Sequence, residues 1–374
     1  MNRRWICSDV WMDILPSFDH AQLGLTMALL SDRFDALVDA HFDGKSELTI
    51  WRTIEISKDK GTEAKLSVLI DDDDNFVDFP LPDRPLPNKI RFCFLLIDYI
   101  DHSVIEFLRS NKHIWDRMGT KLGLDVRSDE TDDNQRIWDV LTSEIWPLFV
   151  TNIRHLRINN GDDLDNLRSR TSPTILTDLD HLNSIDTDIL FPDAIGDDFD
   201  GPNASAGQAL AKWLHTPSKD GRPKRLFCAD YDEEVNLDWV NSFKEAFVRA
   251  TTSSVSYKID FQVPKTAIEP FESVNERTKE KLTLLAFEED VEEDSDDGFI
   301  SDWVLKRCPI SEKAAAIKWE NDEYWDDNNL NNVNFFCGVT STIPLGHCHH
   351  QQRKKRKKKR MKATKMSSEM YGNA

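Results

Sequence analysis

The sequence predicts a mixed α/β chain (α+β / α/β), with a small three-helix module at the N-terminus followed by a β–α repeat domain. A single parallel-sheet α/β domain is the alternative for the larger part. Three observations carry this expectation. Residues 5–42 hold apolar side chains at helical spacing, strand-like runs alternate with amphipathic helical segments from residue 91 onward, and those runs recur about every 30 residues.

The N-terminal segment reads as helices because Val10, Ile14, Leu15 and Phe18 fall on one face, and Leu23, Met27, Leu30, Phe34, Leu37 and Val38 on another. Pro16 fits only a helix end or kink, so the first helix should stop beside it. The composition then shifts. "ELTIWRTIEI" and "AKLSVLI" read as two strands joined by "SKDKGTE", so residues 45–90 are expected to hold a β-hairpin and then a Pro-rich linker, "DDDDNFVDFPLPDRPLPNK".

Strands are predicted at 92–98, 122–126, 153–158, 182–186, 224–228 and 255–263, with helices between them. Ser103 with Glu106, and Ser205 with Gln208, have capping-box spacing. Ile137, Leu141, Ile145 and Leu148 form one helical stripe, and Leu237, Val240, Phe243 and Phe247 another. "IRHLRINN" and "TKLGLDV" are similar to the LxxLxL core of leucine-rich repeats. A curved β–α repeat and a doubly wound sheet share this alternation, and both stay open. After 263, "KEKLTLLAFEE" and "FISDWVLKRCPI" read as a hairpin around an acidic loop at 288–297. "EKAAAIKWENDEYW" reads as a terminal helix, and 321–374 as a disordered tail.

Composition narrows the function. The chain has 374 residues, 39% hydrophobic and 30% charged, with a net charge of −20. Residues 347–374 contribute ten Lys/Arg and one Glu, a net +9, so the remainder carries −20 − 9 = −29. Such a body repels nucleic-acid phosphates and leaves only the tail as a weak polyanion contact. No apolar run reaches a membrane-spanning length, and the N-terminus does not read as a secretory signal. The six scattered cysteines form no CxxC pair and read as free thiols of a nuclear or cytoplasmic protein.

GxGxxG, GxxxxGK[ST], GxSxG and HExxH patterns are all missing, so no catalytic residue, cofactor or metal site is predicted. "HCHH" at 347–350 lacks a second ligand pair. "DDDD" at 71–74 and Asp193, Asp197, Asp198 and Asp200 do not have the spacing of a calcium loop and read as solvated turns. The run Arg353, Lys354, Lys355, Arg356, Lys357, Lys358, Lys359, Arg360 reads as a nuclear-import signal or a charge-balancing tail.

Residues 6–38 resemble an F-box, the helical module that docks on a Skp-family adaptor of a cullin–RING ubiquitin ligase. Ile6 stands at the opening leucine of the pattern, Cys7 at its proline, Asp9 at its glutamate and Val10 beside it. Ile14 and Leu15 take the Ile-Phe pair, Phe18 the next leucine and Leu23 the leucine after the turn. Leu29 and Leu30 take Val-Cys, Phe34 the tryptophan and Leu37 the final leucine. With "YIDHSVIEFL", "SPTIL" and "GQALAKWLHTP", the chain resembles a nematode-type F-box-associated family over roughly residues 5–320.

The resemblance implies a non-catalytic substrate receptor of an SCF-type ligase. Ile6, Val10, Ile14, Leu15, Leu23, Leu29, Leu30, Phe34 and Leu37 would contact the adaptor, a cullin scaffold would be reached through it, and the domain at 91–320 would bind an unidentified target protein. A helical segment of this size buries too little surface alone, so its apolar face must pack on something. The alternative is a nuclear protein-binding scaffold without ligase contact, in which that face packs on the chain's own larger domain.

Overall fold

The computed structural model describes residues 6–337 apart from 19, 44–48, 59–62, 70–75, 88–89, 117–118, 127–130, 194–203, 218, 220, 230–236, 252–255, 265–266, 288–299 and 311–330. The acidic loop, the expected helix after 311, the "HCHH" cluster and the basic run therefore lie outside the described residues.

The N-terminal segment forms α1 (Ser8–Ile14), a 3-10 turn at Leu15–Ser17, α2 (His20–Gln22), a π turn at Leu23–Met27, a second 3-10 turn and α3 (Asp32–Asp43). Pro16 sits in the first 3-10 turn and ends α1 as expected. Ser31 is extended (φ −173°, ψ 162°) and breaks the helix just after Leu30. This corrects the single predicted stripe: Leu23 and Leu37 face the core, whereas the break turns Leu30 outward.

A continuous 13-stranded sheet follows, in the order β10-β11-β12-β9-β8-β7-β6-β5-β13-β4-β1-β2-β3. Its members are β1 (Thr49–Ser57), β2 (Lys65–Leu69), β3 (Phe76–Pro80), β4 (Ile90–Ile97), β5 (Thr120–Val126), β6 (Ile153–Ile158) and β7 (Ser184–Thr187). They continue with β8 (Lys224–Cys228), β9 (Tyr257–Pro264), β10 (Phe271–Asn275), β11 (Glu280–Phe287), β12 (Ile300–Pro309) and β13 (Asn331–Cys337). The helices are α4 (His102–Ser110), α5 (Lys112–Asp116), α6 (Thr131–Val140), α7 (Trp146–Phe149), α8 (Gly161–Arg170), α9 (Ile175–Asp178), α10 (Ala206–His215) and α11 (Asp238–Arg249).

The protein is thus mixed α/β with a large, mostly parallel sheet. From β5 to β9 the strands are parallel neighbours in chain order, without the reversal that defines a doubly wound sheet.

Register explains the core. Val68, Ile54, Leu95, Val333, Leu122, Leu156, Ile185, Leu226, Ile259, Leu305 and Leu284 are direct cross-strand partners in one unbroken row. Each is at most 1% exposed. Burying an aliphatic side chain of this size contributes about 1.5–3 kcal/mol, an upper bound because denatured chains are not fully extended. A one-residue slip would push Lys121, His155, Asp186 and Lys258 into that row, so the register is strongly specified. Val104, Phe107 and Leu108 of α4, Trp213 and Leu214 of α10, and Trp239, Phe243 and Phe247 of α11 complete the core.

Four expectations are corrected. Residues 45–90 are more than a hairpin and linker: β1 pairs parallel with β4, and β3, within the expected loop, forms the sheet edge. The region expected to be disordered from 321 contributes β13, held between β4 and β5, where Val333 and Phe335 are completely buried. Asp101 caps α4, accepting from the Ser103 and Val104 N–H groups, and Glu106 instead pairs with Arg109. β10, which no apolar run announced, adds the opposite edge. The Ser205–Gln208 capping box is present in both halves, and β11 and β12 form the expected antiparallel pair.

Candidate protein-interaction surfaces

The N-terminal module divides the predicted contact residues into three groups. Leu15, Leu23 and Leu37 are buried and belong to the same apolar cluster as the sheet. They shape the module and are closed to a partner, which corrects their assignment as contact residues. Ile14, Leu29 and Phe34 are half-buried. Ile6, Val10 and Leu30 are exposed, by 45%, 45% and 61%.

Two contacts tie the exposed segments together. The Arg33 guanidinium donates to the Ile6 carbonyl at 2.6 Å, and the Trp11 ring meets Phe34 edge-on at 4.8 Å. The start of α1 is thereby held beside the first turn of α3, and the three exposed apolar side chains lie on these tied segments. Isolated exposed apolar residues are ordinary, but three on one braced unit leave apolar side chains open to a partner helix. A separate polar cleft lies between α3 and residues 84–87, where Arg84 pairs with Asp32 at 2.8 Å.

The second surface is the sheet face opposite the buried row. Strand alternation brings Lys121, His155, Ser184, Arg225, Lys258 and Lys306 into one row across β5, β6, β7, β8, β9 and β12. The adjacent row holds Gly123, Arg157, Asp186, Phe227, Asp260 and Val304.

Two carboxylates organise these rows. Asp186 lies 2.8 Å from His155 Nε2 and 3.6 Å from Lys121. Burial works to raise its carboxyl, but His155, Lys121 and Arg225 outweigh that and hold it well below the ordinary carboxylate range. Asp260 bridges Arg225 and Lys258, each at 2.9 Å. Arg157 pairs with Asp188 at 3.3 Å at the upper margin.

Sequence reasoning did not find this face. Its residues come from six strands separated by helices or by other strands, so no window of the sequence contains two neighbouring positions of a row. The only local signal is a polar residue alternating with the apolar positions of each strand.

Among the described residues no group of three or more His, Cys, Asp or Glu is placed to hold a metal ion. No described helix is long and apolar enough to cross a membrane. Cys7, Cys228 and Cys308 are free thiols. No family model, curated protein or solved structure matches the chain.

Proposed function

We propose that the protein is a substrate-receptor subunit of an SCF-type cullin–RING ubiquitin ligase. Its N-terminal module docks on a Skp-family adaptor, and its sheet domain, read as a leucine-rich-repeat-like array, holds a target protein. The observation that carries the reading is the exposure of Ile6, Val10 and Leu30 on a module whose other apolar side chains are largely consumed internally. These three positions coincide with adaptor-facing positions implied by the F-box resemblance. Such a receptor acts by raising the target's local concentration near the ubiquitin-loaded enzyme.

The test is co-purification with a Skp-type adaptor. Ile6→Asp with Leu30→Asp is expected to abolish the association while the sheet domain keeps its unfolding transition. Undiminished recovery of adaptor would refute the assigned interface. Burial of Leu15, Leu23 and Leu37 in the common core favours the second reading, a nuclear scaffold whose module serves its own sheet domain. In that case the wild-type chain recovers no adaptor. Deleting 353–360 is expected to move a tagged protein from nucleus to cytoplasm, and an unchanged distribution would leave the run as a charge feature.

A further inference from the structure

The sheet ends in two edges, β3 on one side and β10 on the other, and they are built differently. β3 carries two of the devices by which natural proteins blunt an edge, a proline at its end (Pro80) and a charge at its centre (Asp78). Phe76 and Val77 are exposed there. A second copy pairing antiparallel about the centre of β3 would nevertheless set Asp78 against Asp78, and like charges directly opposite destabilise a sheet.

β10 has no proline, and its one charged side chain, Glu272, is paired with Lys281 of the same chain at 3.2 Å. The strand is fixed at both ends. Lys244 of α11 lies over the Phe271 ring, 4.3 Å from its centre, and the Asn275 amide donates to the Phe247 and Ala250 carbonyls at 2.7 and 2.9 Å. β11 occupies its inner side. Among the described residues, no other element hydrogen-bonds to its backbone from the outer side. Val274 is exposed at this margin, and so is Val248, one helical turn after Lys244 on α11. Stacked arrays of strands and helices ordinarily close with a terminal unit whose outer face is polar. Here the terminal unit is a braced, open edge with two exposed valines.

We propose that β10 is a dimer interface, pairing antiparallel with β10 of a second copy of this chain across a two-fold axis at Ser273. In that register Ser273 faces Ser273, and Glu272 of each copy lies opposite Val274 of the other. Like charges do not meet, and the stem of each Glu272 covers a valine. Phe271 lies opposite Asn275 in the same way. Every contact made by one copy is returned by the other, so the pairing stops at two. Five paired residues make a margin about 17 Å long, small for a permanent interface, so the dimer is expected to dissociate in the micromolar range. The proposal goes beyond the receptor reading and does not rest on it.

The experiment is sedimentation velocity of the full chain from about 1 to about 200 µM. The expected result is a monomer–dimer equilibrium within that range and no larger species. Val274→Glu sets two like-charge pairs across the axis and is expected to weaken the dimer about fivefold or more. Adding Glu272→Lys turns both pairs into opposite charges and is expected to bring the dissociation constant back to within about threefold of the parent. Val77→Glu, at an exposed position of the other edge, is expected to leave it unchanged.

A monomer throughout the range would overturn the proposal, as would a dimer indifferent to Val274→Glu or not restored by Glu272→Lys. Weakening by Val77→Glu would place the contact on β3, and species growing past the dimer would show head-to-tail assembly; either result overturns it. The charge-restored variant keeps the test decisive, since a misfolded strand would not recover its pairing.

Discussion

Arg307 of β12 donates to Glu280 of β11 at 2.7 Å, and their side chains are only 4% and 2% exposed. The guanidinium also lies over the Phe247 ring, 5.2 Å from its centre. A charge pair this deeply enclosed contributes little net stability over an apolar pair, but stripping one partner strands a charge. Glu280→Ala is expected to lower unfolding free energy by about 3–5 kcal/mol, whereas Arg307→Met with Glu280→Leu should cost far less. Urea denaturation of the three proteins checks this, and equal losses in both variants would contradict it.

His215 provides a pH signature. Its ring lies 5.2 Å from both Phe243 and Tyr257, with Nδ1 2.8 Å from the Ala211 carbonyl. Burial, helped by Arg307 and Lys224 and opposed by the Ala211 carbonyl, pulls its pKa down to about 4. The unfolded value is about 6.5, so the unfolded chain binds the extra proton between those values. The contribution is fully present above about pH 6.5 and is lost as pH falls toward about 4, by roughly 3 kcal/mol. Chemical denaturation at a series of pH values should show His215→Phe with a visibly flatter acid limb than the parent.

Gly123 and Asn334 form a fitted pair. A Cβ at Gly123 would stand 2.1 Å from Asn334 Oδ1, because the β13 side chain lies across the glycine of its β5 partner. Gly123→Val is expected to destabilise by about 1–3 kcal/mol as an overpacked contact. Adding Asn334→Gly should recover most of that loss, giving a coupling energy above about 0.5 kcal/mol in a double-mutant cycle. Additive losses would show that the two residues do not constrain each other.

Within the N-terminal module, exposure separates two leucines of similar appearance in sequence. Leu30→Asp is expected to change stability by less than about 0.5 kcal/mol, as for most surface substitutions. Leu23→Asp, at a completely buried position, should cost more than about 3 kcal/mol by burying an unpaired charge. Thermal unfolding distinguishes them, and similar losses would place Leu30 in the core.

Elements with strong local signals were legible in the sequence. Residues 153–158 and 224–228 are strands with the predicted boundaries, because Leu156 and Ile158, and Leu226 and Cys228, recur at the two-residue period of a half-buried strand. β13 was not legible. Asn has low strand propensity, so "NNVNFFC" reads as polar low complexity, although Val333 and Phe335 mark a half-buried strand with period two. Only the apolar walls of β4 and β5 on either side decide the matter. β3 was hidden likewise, by a proline at its end and acidic residues before it. The module's outward face depended on one backbone break at Ser31, which propensity alone does not place. The polar rows depended on register among distant strands, which propensity does not encode at all.

The placement of β13 has a consequence for biosynthesis. Of the described strands it leaves the ribosome last, yet its seat lies between two that emerged more than 200 residues earlier. Until it arrives, β4 and β5 each keep a row of backbone hydrogen-bonding groups with no mate, the hallmark of an aggregation-prone edge. A chain ending before this segment thus has two open edges in the centre of its sheet. The last of the described strands therefore closes two open edges at the centre of the sheet.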